Sequence, residues 1–118
     1  MHTQIFNPDQ VRLLPLVRQF KKEFYLVGGT AIALYLGHRR SVDFDLFKHS
    51  PLKPLKIIST ISDFGFPYSI TRRVTEQLNV TVNNVKFTFF QYPFKISATK
   101  KLEDIIRLPD LTDLAAMK

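Results

Sequence analysis

Two acids and two glycines in this 118-residue chain have the types and spacing to do chemistry together: Gly28-Gly29, thirteen further residues, then Asp43-Phe44-Asp45. Side chains alternate faces along a strand, so Asp43 and Asp45 project to one side while Phe44 and Leu46 face the other. Neighbouring carboxylates repel when ionised, and a divalent cation between them removes that cost. Mg²⁺ suits such a pair because it is usually held by one or two carboxylates together with substrate phosphates and water. The glycines supply the complementary half. Backbone without side chains at the start of a helix lets N–H groups point at an anion with the helix dipole behind them. Thr30 adds a hydroxyl that can cap that helix or meet a phosphate oxygen.

These residues need a frame, and the sequence around them provides one. Phe24 to Val27 is an apolar run of strand character that breaks at Gly28-Gly29. From Thr30 the pattern Ala31, Ile32, Leu34, Tyr35, Leu36 predicts a short helix, which Gly37 can end in a left-handed C-cap. The basic turn His38-Arg39-Arg40-Ser41 follows, and Val42 to Phe47 reads as a second strand. Arg39 and Arg40 have two roles open to them: pairing with the carboxylates, or clamping a triphosphate with their forked guanidinium groups. His38 reads as a cation at the helix C-terminus or as a turn residue.

The pattern of Gly28-Gly29 and Asp43-Phe44-Asp45-Leu46 resembles the signature of the DNA-polymerase-β-like nucleotidyltransferase superfamily. The longer run from Val27 to Ala31 and from Gly37 to Phe47 is similar to the AbiEii/AbiGii-type nucleotidyltransferase toxin family. That resemblance implies an Mg²⁺-dependent transfer of a nucleoside monophosphate from a nucleoside triphosphate to an acceptor, with RNA as a candidate, in a toxin–antitoxin or phage-defence setting. Asp43 and Asp45 would be the catalytic and metal-binding residues, and Gly28, Gly29, Thr30, Arg39 and Arg40 would bind nucleotide. The ending Asp113-Leu114-Ala115-Ala116-Met117-Lys118 is similar to a family segment whose lysine also contributes, which adds Lys118. Family chains continue beyond that lysine, so residues 1–118 are read as one domain, with two readings open: the N-terminal part of a longer family chain, or a stand-alone minimal domain.

The resemblance also exposes a departure. Members usually carry a third carboxylate on a later strand, and the element Val85 to Phe90 that corresponds to it has Thr88 in that place. A neutral hydroxyl is a poor Mg²⁺ ligand and no general base at neutral pH. Glu76 is the nearest acid in sequence, and it reads better as a solvent-facing turn residue. Two other readings therefore stay open: a catalytically silent nucleotide- or RNA-binding module, and a subunit that pairs with an antitoxin or a complementing chain.

The remaining sequence predicts what surrounds the site. Asn7 and Pro8 open a helix to about Phe20, with Val11, Leu14, Val17 and Phe20 inward and a break or kink at Pro15. A helix from Leu55 to Phe64, with Leu55, Ile58, Ile61 and Phe64 inward, stops at Gly65. Tyr68–Val74, Gln77–Val82 and Val85–Tyr92 read as a meander with Asn83-Asn84 as a tight turn, and Phe87 and Phe89 as core. Lys101 to Arg107 and Asp110 to Lys118 read as short helices. The sum is an α+β fold, a twisted mixed sheet of about five strands flanked by helices. A net charge of +7 favours polyanionic partners, and 45% hydrophobic residues argue against disorder. No apolar run approaches the roughly 20 residues needed to cross a bilayer, no cysteine is present, and the N-terminus lacks a signal-peptide layout. These point to a cytoplasmic chain without a membrane partner.

Overall fold

Strict alternation of apolar and polar residues in the central strands lays a single sheet across the molecule, with one face in the core. The computed structural model describes residues 1–37 and 43–117. Its strands are β1 (Tyr25–Val27), β2 (Asp43–Lys48), β3 (Tyr68–Val74), β4 (Gln77–Val82), β5 (Val85–Gln91), β6 (Lys100–Leu102) and β7 (Ile106–Leu108), and its helices α1 (Pro8–Arg18), α2 (Gly28–Leu36), α3 (Pro54–Asp63) and α4 (Leu111–Ala116). The sheet is mixed, in the order β3-β4-β5-β2-β1-β7-β6. The pairs β2–β5 and β1–β7 are parallel, and the other neighbours are antiparallel.

The expected five strands become seven because residues 100–108 form a hairpin rather than a helix. Leu102 and Ile106 have a spacing that suits a helix face as well as two strands. Pairing decides the matter: β7 joins β1 through Tyr25 and Arg107, and Glu103 turns the chain at φ 47°. Tertiary hydrogen bonding overrides a weak local preference.

Helix α1 begins where the sequence says. Asn7 Oδ1 accepts from the Gln10 N–H at 2.8 Å and Gln10 Oε1 accepts from the Asn7 N–H at 3.1 Å, a reciprocal cap. Its inner face, however, is Leu13, Leu16 and Val17, while Val11 is 51% exposed. Pro15 does not split the helix. It lies on the solvent side, where water can satisfy the freed carbonyl, and the helix ends within one further turn. In α3 the inward residues are Ile57 and Ile61, and Leu55 and Phe64 are exposed. Pro54 starts that helix one residue earlier than expected.

The core is rich in aromatics from strands and loops. Phe24 and Phe89 rings lie 5.5 Å apart edge to face, Phe20 meets Phe89 at 4.9 Å, and Phe44 meets Phe87 at 5.2 Å. Phe87 and Phe89 are fully buried, as the alternation implied. Asn83 and Asn84 both take positive φ, 46° and 70°, which suits the tight turn between β4 and β5. Among the described residues, no helix is long and apolar enough to cross a membrane.

Candidate active site at the start of β2

Three elements meet where β1 ends. Val27 pairs with Asp45, so the turn into α2 lies beside the first residues of β2. Helix α2 starts at Gly28, earlier than the pattern from Thr30 suggested, and Gly37 closes it at φ 73°. Gly28 itself sits at φ 76°, and a Cβ there would overlap Asp45 Oδ2 and stand 2.9 Å from Asp45 Cγ. Only glycine lets the main chain approach the carboxylate this closely. The first-turn N–H groups of α2 have no acceptor within the helix, and no side chain caps them.

Thr30 is 1% exposed, and its hydroxyl donates to the main-chain carbonyl of Asp43. The side chain therefore ties α2 to β2, which leaves its backbone N–H as the group available to an anion. Tyr35 Oη donates to the Pro109 carbonyl at 2.6 Å and anchors the segment that leads into α4. Asp110 caps α4 by accepting from the Asp113 N–H at 2.9 Å. Leu114 and Met117 then join Val27, Gly28, Ile32, Asp45 and Phe90 around a cleft of about 140 Å³. A cleft this size could enclose only part of a ligand, since pockets for whole ligands run to roughly 300–1,000 Å³.

Asp43 and Asp45 share one face of β2, with Phe44 and Leu46 fully buried on the other. Burial pushes the Asp45 carboxyl above the ordinary carboxylate range, and the neighbouring Asp43 charge adds to that. Lys86 and a hydrogen bond from the Thr88 hydroxyl pull in the opposite direction. The parallel register explains both contacts: Asp43 stands opposite Lys86, and Asp45 opposite Thr88. Thr88 thus occupies the place beside the pair where a third acid would stand. Glu76 is exposed and no substitute: its carbonyl accepts from the Gln91 N–H, at the far end of β5. Among the described residues, no three His, Cys, Asp or Glu side chains gather into a metal-binding group. Two mutually repelling carboxylates still fit a hard divalent cation that takes its other ligands from phosphate and water.

Gly28, Gly29, Thr30, Asp43 and Asp45 are therefore together. Arg39, Arg40, the neighbouring His38, and Lys118 lie outside the described residues. Sequence reasoning missed Lys86, although its spacing of two from Thr88 on a strand puts both on one face. It also missed the apolar wall from Leu114 and Met117, which depends on how α4 docks.

A family model described as Nucleotidyl transferase AbiEii toxin, Type IV TA system, matches residues 15–113. The chain belongs to the AbiEii toxin family. An uncharacterized protein of Aquifex aeolicus (strain VF5) is 33% identical over 104 residues, which cover 81% of this chain and 48% of that protein. The chain thus spans about half the length of this curated relative. Two solved structures share the AbiEii chain's fold. One is an H. pylori protein proposed to be a nucleotidyltransferase, with TM-score 0.57 and 15% identity over 98% of this chain and 55% of that one. The other is JHP933 from Helicobacter pylori, with TM-score 0.54 and 17% identity over 98% of this chain and 53% of that one. At such identities the likeness concerns fold, a mixed sheet flanked by helices.

Proposed function

We propose that this AbiEii domain transfers a nucleoside monophosphate from a nucleoside triphosphate to an acceptor hydroxyl, with RNA as the acceptor class, in a toxin–antitoxin setting. The observation that carries the reading is the contact between Gly28 and Asp45, which sets bare amide groups beside a carboxylate pair. The amides of Gly28, Gly29 and Thr30 would hold the phosphates at the positive end of α2. Asp43 and Asp45 would hold Mg²⁺, which when bound supplies positive charge against the phosphate oxygens. Arg39, Arg40 and Lys118 are assigned to the triphosphate on sequence resemblance. The acceptor hydroxyl oxygen attacks the α-phosphorus, its proton passes to solvent water, the bond to the bridging oxygen breaks and pyrophosphate leaves. At the α-phosphorus the protein's part is to position the reacting groups in line and to neutralise charge on the phosphate oxygens. A site with Thr88 in place of a third acid keeps both. The type IV family description fits an antitoxin partner.

To test this, the protein is incubated with each labelled nucleoside triphosphate, Mg²⁺ and total RNA, beside the Asp43→Asn/Asp45→Asn variant. Label should enter RNA with the native protein alone; transfer that persists in the double variant removes the proposed site. Thr88 favours a second reading, in which the domain binds nucleotide and catalyses nothing. Mg²⁺-dependent nucleotide binding without any label transfer would decide for that reading.

A further inference from the structure

The central strands leave one face of the sheet uncovered next to the carboxylates. Register places Asp45, Thr88, Asn79 and Arg72 in one cross-strand row, and Asp43, Lys86 and Thr81 in the row beside it. On β4 and β5 the residues of the opposite face, Leu78, Val80, Val82, Val85, Phe87 and Phe89, are all within 1% of full burial. Those of the open face are half-buried or exposed, and every residue of β3 is exposed. Strands lie about 4.8 Å apart, so the row from Asp45 to Arg72 runs about 14 Å across the molecule.

The make-up of this face decides what it can take. Beyond the two aspartates it carries no acid; it has Lys86 near the site, Arg72 at the edge, and hydroxyl and amide side chains between them. A protein partner would find little apolar surface to bury, since the large hydrophobes on this face are the half-buried Phe90 of β5, beside the cleft, and Val74 at the far end of β3. Nucleic-acid interfaces are the opposite: polar, hydrogen-bonding and positively charged. Asn79 is held for such a role, because its Oδ1 accepts from Gln77 Nε2 at 2.9 Å, which leaves its own amide N–H groups pointing outward from that bond.

We propose that the open face of β2, β5, β4 and β3 is the track on which a single-stranded RNA acceptor lies, with its phosphates on Lys86 and Arg72 and its end at Asp43 and Asp45. The inference deepens the nucleotidyl-transfer reading and rests on it for the placement of the reacting end. The absence of an aromatic platform between Lys86 and Arg72 makes binding mainly electrostatic, and so steeply dependent on salt.

The experiment measures fluorescence anisotropy of a labelled single-stranded RNA oligonucleotide over a range of salt, without nucleoside triphosphate. Native protein is compared with Lys86→Ala/Arg72→Ala, with Thr81→Glu, and with Lys21→Ala/Lys22→Ala, which removes the same charge between α1 and β1. The first variant should bind about tenfold more weakly, with a salt slope lower by about 1.4, close to two phosphate contacts on a single strand. Thr81→Glu should also weaken binding, while retaining every basic residue. An equal loss in the Lys21/Lys22 control, or unchanged affinity in the face variants, overturns the inference. Mg²⁺-dependent binding of a fluorescent nucleoside triphosphate by native protein is recorded in parallel. If that binding is absent the function reading fails; if it is present and RNA binding ignores Lys86 and Arg72, the track alone fails.

Discussion

The two ends of β2 carry charge in opposite ways. At its start Asp43 and Asp45 stand side by side, like with like, and the Asp45 carboxyl is held above its ordinary range by burial and by its neighbour. At its end Lys48 is 5% exposed, yet its ammonium lies 3.7 Å from Glu23 and 5.3 Å from the centre of the Phe24 ring. Glu23 also takes a 3.0 Å bond from Lys56, which holds its carboxyl below the ordinary range. The contrast separates two uses of a partly buried charge. One that serves the fold is matched within the chain. The other, at Asp45, has its titration point raised by burial and by a like charge beside it, a tension that a bound cation would relieve.

The most damaging way to disturb this comparison is at Gly28. An alanine there combines a left-handed backbone, costing roughly 1–2 kcal/mol, with overlap on Asp45, costing roughly 1–3 kcal/mol. Gly28→Ala should therefore unfold at clearly lower denaturant concentration and lose nucleotide binding. An unchanged midpoint would show that the close approach is dispensable.

The matched end is broken by Glu23→Gln. Removing one partner of a fully buried pair costs 3–5 kcal/mol, but Glu23 is 40% exposed, so about 1–3 kcal/mol is expected. The pH dependence has a definite sign. Because the folded carboxyl titrates below its unfolded value, its contribution is full above that value and is lost as pH falls through the folded one. Acid melts should thus show the native protein losing its advantage over Glu23→Gln below about pH 4.5.

The acidic end should respond the other way. An acid whose folded titration point is raised costs stability as pH rises through the interval above its unfolded value, and the cost is complete once pH has passed the folded one. Asp45→Asn should melt higher than native protein at pH 7 in chelator, by less than Glu23→Gln loses. Added Mg²⁺ should raise the native midpoint and leave the variant's unchanged. A variant that melts lower would mean that the Thr88 hydrogen bond outweighs the burial. The smallest effect belongs to Lys56→Ala: its side chain is 61% exposed, so at most about 1 kcal/mol should be lost by chemical denaturation.

Much of the site was legible because its parts are local. Gly28-Gly29 and the alternation from Asp43 to Leu46 specify turn, helix start and facing carboxylates within one short stretch. The meander from Tyr68 was equally plain, since paired asparagines and period-two alternation agree with each other. Residues 100–108 were not, because Leu102 and Ile106 fit either period and only β1 chooses between them. The inner faces of α1 and α3 were read only in part: Val17, Phe20 and Ile61 are buried as expected, but both helices carry apolar residues on more than one side, and docking adds Leu13, Leu16 and Ile57 while leaving Val11 and Leu55 exposed. The match for Lys48 was hidden as well, since Glu23 is far from it in sequence and meets it through the antiparallel β1–β2 pairing.

The parallel join of β2 to β5 also sets an order in time. Asp45 and Thr88 become neighbours only after the helix α3 and two strands between them have been made. At ribosomal speeds of roughly 5–20 residues per second, that interval lasts on the order of several seconds. During it the carboxylates have been translated but β5 is missing, so the nascent chain carries Asp43 and Asp45 without the strand that stands beside them. If the proposed transfer takes place at this pair, topology alone withholds it from the half-made polypeptide.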